Sequence, residues 1–114
     1  MPRKRIYIAG PYTQGDVAVN VRTAITAAEE LANAGFAPFV PHFTHFWHMM
    51  FPHPHDFWLQ LDFQFVECCA AVLRLPGRSK GADEEVALAK SIGIPVFYDM
   101  ESLARHFRSE RSTP

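Results

Sequence analysis

Three consecutive acids, Asp83, Glu84 and Glu85, follow a Ser-Lys-Gly turn in the stretch LRLPGRSKGADEEVALAK. Acids at a helix start usually only complement the helix dipole. If a helix begins near Gly81, helical spacing points Asp83 and Glu84 towards solvent and Glu85 towards the core. A core-facing carboxylate is costly unless it is hydrogen-bonded or used, and the dipole would keep it ionised, as a nucleophile or an electrostatic stabiliser requires. The alternative is a later helix start, with Glu85 an ordinary first-turn acid.

A second carboxylate, Asp62, lies in the apolar stretch HDFWLQLDFQFVECC, which reads as a helix with Phe57, Leu61 and Phe65 facing inward. Two carboxylates flanking one cleft suit glycosyl transfer, in which one attacks the anomeric carbon and another group handles protons at the leaving group. A helical Asp is more often a surface residue, and sequence alone does not bring the two acids together.

The elements that must position these acids alternate between strand and helix. Apolar, β-branched runs predict four strands, and Pro38 indicates that the second is an edge strand. The strands are expected at 5–10, 36–41, 70–76 and 94–98, and the helices at 15–35, 55–69, 80–92 and 100–110. This alternation predicts a flavodoxin- or Rossmann-like three-layer α/β sandwich with a parallel sheet of four to five strands. It would form one domain over residues 1–114, with a polar tail from about residue 108.

In such sheets, ligands bind beyond the carboxyl ends of the strands. Three segments are expected at that edge: AGPYTQGD after the first strand, PHFTHFWHMMFPHPHDF after the second, and PGRSKGADEE after the third. The second is unusually long for a connection, which favours a binding role.

That middle segment contains His42, His45 and His48 at intervals of three, which suggests zinc. Prolines interrupt the segment and supporting acids are scarce, so a metal site is disfavoured. Two alternatives stay open. The aromatic residues could form a base-stacking lid, with His42 or His45 bonding the base edge and Trp47 among the stacking rings. They could equally form a homodimer interface, where Trp, Phe and Met are enriched.

Composition excludes several classes of function. The net charge of −1 gives no electrostatic attraction for nucleic acid or an anionic membrane, and no apolar run approaches the roughly 20 residues that span a bilayer. The first residues lack the apolar run and cleavage site of a signal peptide. Cys68 and Cys69 are adjacent and cannot form an ordinary bridge to each other; we expect both to be small buried hydrophobes in a reducing cytoplasm.

Several motifs together resemble the nucleoside 2-deoxyribosyltransferase-like superfamily. They are RIYIAGPYT, a later Pro-His pair, an Asp before a hydrophobic helix end, AVLRLPG, and S-x-G-x-x-x-E followed by A-x-A, spread over residues 4–98. The superfamily includes the transferases and the 5′-monophosphate nucleotide N-glycosidases. The chain looks most similar to a small bacterial branch with GPYT and LPG-x-S-x-GA.

The resemblance implies cleavage or transfer at the N-glycosidic bond of a nucleoside or its 5′-monophosphate, without a cofactor. Glu85 would be the nucleophile that forms a covalent glycosyl-enzyme. Asp62 would orient the sugar or handle protons near the base, and Tyr7 would hydrogen-bond the nucleophile. The competing class is a non-catalytic nucleotide-binding or signalling module of the same fold.

The resemblance also implies substrate-binding roles in the loops. Gly10 and Pro11 would shape the first loop and Tyr12 would line it. Ser79 and Gly81 match the turn that holds the 5′ end of the sugar, and a Ser at this position is typical of the monophosphate glycosidases. The first loop lacks their glycine and arginine pattern for phosphate, which Arg22 or Arg78 would have to replace. Related members complete each site with residues of a neighbouring subunit, so we expect a homodimer or larger homo-oligomer. The basic residues within 105–111 would then contribute to the neighbour's site.

Overall fold

The structure is a computed structural model that describes residues 3–112, with side chains described for residues 3–108. Strands and helices alternate along the chain, and one 3-10 turn (Pro41–Phe43) precedes the second helix. The elements are β1 (Arg5–Ala9), α1 (Val17–Asn33), β2 (Ala37–Phe39), α2 (Thr44–Met50), α3 (His55–Val66), β3 (Ala71–Arg74), α4 (Lys80–Ser91), β4 (Val96–Phe97) and α5 (Met100–Ser112).

The four strands form one parallel sheet in the order β2-β1-β3-β4. In the described part of the chain β2 is an edge strand, as Pro38 predicted, because a proline has no N–H for a second neighbour. The chain leaves β1 for α1 on one face of the sheet and leaves β3 for α4 on the other. The adjacent carboxyl ends of β1 and β3 therefore border the crevice at which such folds bind ligands.

Alternate residues of β1 serve the two faces of the sheet. Ile6 and Ile8 pack in a cluster with α1 and α5, whereas Tyr7 and Ala9 pack in a second cluster with α3 and α4. Strand side chains alternate between faces, so each face has its own apolar core. The three-layer α/β sandwich with a parallel sheet is confirmed.

The segment between β2 and α3 differs from the expected loop. After the 3-10 turn it forms α2, a helix of seven residues, and only residues 51–54 connect this helix to α3. His45 and His48 lie on α2 and His42 lies in the 3-10 turn. Prolines 52 and 54 do interrupt helical structure, but only after α2 has ended.

The predicted inward face of α3 was wrong. Phe57 and Phe65 are exposed, whereas Leu59 and Val66 are buried. Apolar residues occur on every side of this helix, so their periodicity could not fix its rotation. The correct rotation places Asp62, three residues after Leu59, on the side of the helix that faces α4.

Two smaller predictions need correction: the polar tail from residue 108 and the burial of both cysteines. α5 continues to Ser112, so residues 108–112 are helical, while residues 113–114 lie outside the described part of the chain. Cys69 is buried as expected, but Cys68 is exposed. Within residues 3–112, no helix is both long enough and apolar enough to cross a membrane.

Candidate active site

Glu85 faces the interior from the second turn of α4. Ser79 caps this helix, its side chain accepting a 3.1 Å hydrogen bond from the backbone N–H of Ala82, so the helix begins early enough to turn Glu85 inward. The Glu85 side chain is only 5 % exposed, whereas that of Asp83 is 73 % exposed. Glu84 is half-buried, so the expectation that it faces solvent was wrong. Of the three acids, Glu85 is the most buried.

Tyr7 is a hydrogen-bond partner of Glu85. It is fully buried on β1, and its hydroxyl donates a 2.5 Å hydrogen bond to Oε2 of Glu85. Burial and then the charge of Glu85 raise the pKa of Tyr7 well above its ordinary value, so the phenol keeps its proton and acts as a donor. A hydrogen bond to a carboxylate favours its ionised form.

Asp62, half-buried on α3, completes a group of three. Its carboxyl is close enough to Glu85 and Tyr7 to interact electrostatically with both. Burial and then the charge of Asp62 raise the pKa of Glu85 to about 9. Burial also raises the pKa of Asp62, to about 6. Between these values the two carboxyls hold one proton together, because two facing carboxylates cannot both be charged at low cost in a buried site.

The three residues lie at a cleft of about 570 Å³ between the loops that follow β1, β2 and β3. This volume is within the range of small-molecule sites. The structure brings seven of the residues chosen from sequence into the lining, and Tyr7 lies behind them, bonded to Glu85. The seven are Gly10, Tyr12, His42, Asp62, Ser79, Gly81 and Glu85.

Pro11 and Trp47, which were expected to bind substrate, are not part of the cleft lining. Trp47 is 44 % exposed on the outer side of α2, with its ring edge against Trp58. The correction follows from α2, because a helix directs only one side of the segment to the cleft. Phe43 and Phe46 are also exposed and do not line the cleft, so the structure gives no support to a base-stacking lid formed by these rings.

The first loop is held by its neighbours. The carbonyl of Pro11 accepts a 2.9 Å hydrogen bond from Nε2 of His42, and the ring of Pro11 leaves no space for a side chain at Gly77. A Cβ at residue 77 would lie 2.8 Å from Cγ of Pro11, and the φ of +111° also favours glycine there. Asn20 donates to the carbonyls of Tyr12 and Gln14. Pro11 therefore shapes the loop from behind rather than touching the cleft.

Arg74 organises the third loop and was not identified from sequence. It is buried at the end of β3, and its guanidinium donates to the carbonyls of Leu75 and Gly77 and pairs with Asp83 at 3.0 Å. Its positive charge also lowers the pKa of Glu85, against the larger effect of burial. The sequence feature that could have identified Arg74 is a charged residue at the end of an apolar strand.

Gly81 has a specific steric role. A Cβ at this position would lie 3.2 Å from Cε1 of His55, so the glycine lets the imidazole pack against the first turn of α4. The charge of His55 also lowers the pKa of Asp62. Sequence spacing had pointed to His42, His45 and His48 but left His55 aside.

A group of histidine and tryptophan side chains from α2, α3 and the turn between them forms another wall of the cleft. His48, His53, His55 and Trp58 line the cleft. Nδ1 of His48 accepts a 2.7 Å hydrogen bond from Nε1 of Trp58. The short turn of residues 51–54 joins α2 to α3 and so brings these side chains together. Among the described residues no cluster of three or more His, Cys, Asp or Glu side chains could hold a metal ion.

Comparison with known proteins identifies a family and solved structures of similar fold. A family model described as “Domain of unknown function (DUF7768)” matches residues 4–99. No curated protein matches the chain. A solved structure of a 2-deoxyribosyltransferase from Bacillus psychrosaccharolyticus, described as a biocatalyst for the synthesis of antiviral and antitumoral nucleosides, is similar with a TM-score of 0.59. It shares 18 % sequence identity, over 81 % of this chain and 69 % of that chain. At this identity the likeness supports the fold.

Proposed function

Because this chain belongs to the DUF7768 family, whose description names no reaction, we propose its activity from the geometry of the cleft. The protein cleaves or transfers the N-glycosidic bond of a nucleoside 5′-monophosphate or nucleoside, through a covalent bond between the sugar and Glu85. The observation on which this rests is the buried Tyr7–Glu85–Asp62 group at a cleft of nucleoside size. The similarity of fold to a 2-deoxyribosyltransferase supports the same reaction class.

The first step needs an ionised Glu85 and a proton near the base. In the resting pair the higher pKa belongs to Glu85, so the shared proton rests there, and it passes to the neighbouring carboxyl of Asp62 before the attack. An Oε atom of Glu85 then forms a bond to C1′ of the sugar while the C1′–N bond breaks. The electron pair of the broken C1′–N bond stays on the base nitrogen, and the base takes the proton from Asp62. The Tyr7 hydroxyl stabilises Glu85 in its ionised state.

The second step returns the enzyme to its starting state. Water, or the nitrogen of another base, attacks C1′ from the face that the first base left, and the ester bond to Glu85 breaks. The proton of the attacking group passes to Asp62, so the pair again holds one proton. Two inversions at C1′ give net retention. This chemistry uses no metal and no cofactor.

The 5′ end of the sugar is assigned to the start of α4. Ser79 and Lys80 line the cleft there, and Arg78 lies beside them in an adjoining groove. The N-terminus of a helix attracts anions through its free N–H groups, and a nearby Lys adds positive charge. We therefore assign a 5′-monophosphate in preference to a nucleoside. Arg22, the alternative phosphate ligand, lies in a separate groove against α5 and is excluded from this role.

The exposed apolar residues on α2 and just after it are assigned to a homodimer interface. Phe46, Met49, Met50 and Phe51 are each more than 60 % exposed on neighbouring positions. Monomeric proteins rarely expose contiguous apolar patches of this kind without a partner, and Phe and Met are enriched in interfaces. Because the lid interpretation required these rings in the cleft, the interface is the better assignment of the two.

The covalent step is tested by trapping. The protein is incubated with a series of 2-fluoro-sugar nucleosides and their 5′-monophosphates, and intact mass and peptide mapping locate any adduct. We expect a glycosyl adduct on Glu85, absent in Glu85→Gln and retained in Asp83→Asn. Chromatography of unmodified substrates is run in parallel for free base. If no substrate releases free base and no analogue forms an adduct, the proposed enzymatic activity is rejected. The alternative, a nucleotide-binding module of the same fold, would then stand.

The phosphate assignment is tested at the cap of α4. Ser79→Asp retains an N-cap residue but places a carboxylate where the phosphate would bind. We expect turnover of the monophosphate to fall at least about tenfold more than turnover of the nucleoside. Ser79→Asn, a neutral cap, is the matched control. If the wild type cleaves nucleosides as well as their monophosphates, the phosphate assignment is wrong and Ser79 is only a cap.

A further inference from the structure

Two hydrogen-bond donors converge on one nitrogen of His48. The indole Nε1 of Trp58 donates to Nδ1 at 2.7 Å, and the backbone N–H of His53 donates to the same atom at 3.3 Å. Both groups are donors only. Nδ1 must therefore present its lone pair, which places the proton of the neutral ring on Nε2.

This arrangement fixes what the wall of the cleft offers to a ligand. His48 and Trp58 both line the cleft. The indole N–H is already used, so Trp58 offers its apolar ring, and His48 offers the remaining Nε2–H as a donor. The two side chains thus provide an apolar surface and one directed hydrogen-bond donor, the combination with which proteins recognise a flat heteroaromatic ring.

Trp58 is held in place by the rings around it. Trp47, Phe57, His48 and His53 each contact it edge to face, with centroid distances of 5.0, 4.9, 5.5 and 5.5 Å. Because Trp58 is fixed, the His48 ring that it hydrogen-bonds is fixed too, and the Nε2–H of His48 cannot turn to suit a different ligand. Discrimination by a hydrogen bond is strong when the polar group in the site has no alternative partner.

We propose that the Nε2–H of His48 selects the base, favouring nucleobases that present a carbonyl oxygen over those that present an amino group at the same position. The inference rests on the proposed function, in that it takes the ligand of the cleft to be a nucleoside or nucleotide. Hypoxanthine and uracil accept the hydrogen bond at positions where adenine and cytosine would present a second donor. A donor facing a donor leaves both groups unpaired, which is costly in a closed site.

The test compares substrates that differ only in that group. Inosine 5′-monophosphate is compared with adenosine 5′-monophosphate, and uridine 5′-monophosphate with cytidine 5′-monophosphate. Each pair is also tested in the 2′-deoxy form. For the wild type we expect kcat/KM to favour the carbonyl member of each pair by about tenfold or more. His48→Phe keeps a ring but removes the donor, and should bring the ratio close to one. A ratio near one in the wild type would overturn the proposal.

Trp58→Phe is the sharper variant. It keeps an aromatic ring and removes the shorter of the two N–H donors to Nδ1 of His48, leaving only the 3.3 Å donor of His53, so the proton is held less strongly on Nε2. We expect the preference within each pair to fall at least about threefold, through faster reaction of the amino member, while a purely structural role would slow both members equally. Tyr98→Phe, which alters an exposed ring outside the cleft lining, should keep the wild-type ratio. A ratio unchanged by Trp58→Phe would contradict the proposal.

Binding measured without turnover separates this inference from the proposed reaction. The chain has two tryptophans, so Trp47→Phe leaves Trp58 as the only indole, and its fluorescence reports on the cleft. Quenching by free hypoxanthine and by adenine is titrated in this background. Tighter binding of hypoxanthine without any cleavage would support the inference and reject the reaction. Cleavage without any preference in binding or rate would support the reaction and reject the inference.

Discussion

The Tyr7 hydroxyl donates a 2.5 Å hydrogen bond to Oε2 of Glu85, joining a strand to a helix that are 78 residues apart in the chain. Tyr7 is the middle residue of β1 and points away from the face on which Ile6 and Ile8 pack. The position of the donor is therefore set by the strand, and that of the acceptor by the cap at Ser79.

Tyr7→Phe removes this donor and keeps the ring that stacks on Phe39. A hydrogen bond to a charged group contributes roughly 1.5–3 kcal/mol, so kcat should fall about tenfold to a hundredfold. The hydrogen bond of Tyr7 lowers the pKa of both carboxyls, so its loss should move both limbs of the pH–rate profile to higher pH. Lower activity with an unshifted profile would mean that only packing was changed.

Glu85→Gln should abolish glycosyl transfer and stabilise the fold. Folding raises the pKa of Glu85 from 4.5 to about 9, so the folded state holds a proton that the unfolded chain releases. The stability of the wild type therefore falls as the pH rises from about 4.5 to 9, and a neutral Gln avoids this loss. We expect a gain in Tm that is small at pH 5 and at least about 4 °C at pH 8.5.

Asp83→Asn is the matched control for that measurement. Its side chain is largely exposed and its amide oxygen can still accept from Arg74. Activity should stay within about threefold of wild type, and Tm should not gain with rising pH, since surface substitutions seldom change stability much. Equal losses of activity in both variants would indicate that the acids act together on the helix dipole.

The pH dependence of kcat/KM should be bell-shaped. Activity requires one proton on the Glu85–Asp62 pair, which gains a second proton below a pKa of about 6 and loses its last above about 9. Asp62→Asn leaves Glu85 as the only titrating member of the pair, so the alkaline limb should disappear while the acid limb remains, and kcat should fall more than KM changes. A wild-type profile that is flat between pH 5 and 10 would contradict the single-proton requirement.

The interface assignment predicts a change in mass. Phe46→Glu with Met50→Glu places charges at two positions that are 69 % and 73 % exposed, and we expect light scattering to give the monomer mass in place of the dimer. The control is Ile92→Glu, an exposed apolar residue at the end of α4, which should leave the mass unchanged. A monomeric wild type would reject the interface.

Local pattern was sufficient to predict much of the fold. Four apolar runs, helices between them and a proline at the edge strand gave the parallel sandwich. The rotation of α4 also followed from sequence, because small residues such as Ala82 and Ala89 marked its inward face against charged neighbours. α3 gave no such contrast, since aromatic residues surround it, and its inward face was predicted incorrectly.

The site was predicted only where a backbone position determines a side chain. Glu85 was chosen from helical spacing together with the resemblance to known motifs, and Tyr7 from the resemblance alone. The Trp58–His48 bond and the Pro11–Gly77 contact join segments that meet only in three dimensions, and no local spacing encodes them. Trp47 was misassigned because its segment was taken for a loop, in which any aromatic residue could turn to the cleft.

The alternation of β1 divides the evolutionary constraints on this protein. Within five residues, Ile6 and Ile8 pack in one layer while Tyr7 packs in the other and donates a hydrogen bond to Glu85. A change at Tyr7 can therefore alter chemistry in a molecule that still folds, and a change at Ile6 or Ile8 can lower the amount of folded protein without altering what each folded molecule does. The layer of α1 and α5 can thus accumulate compensating substitutions independently, which gives a lineage freedom to change its substrate on one side of the sheet while it maintains stability on the other.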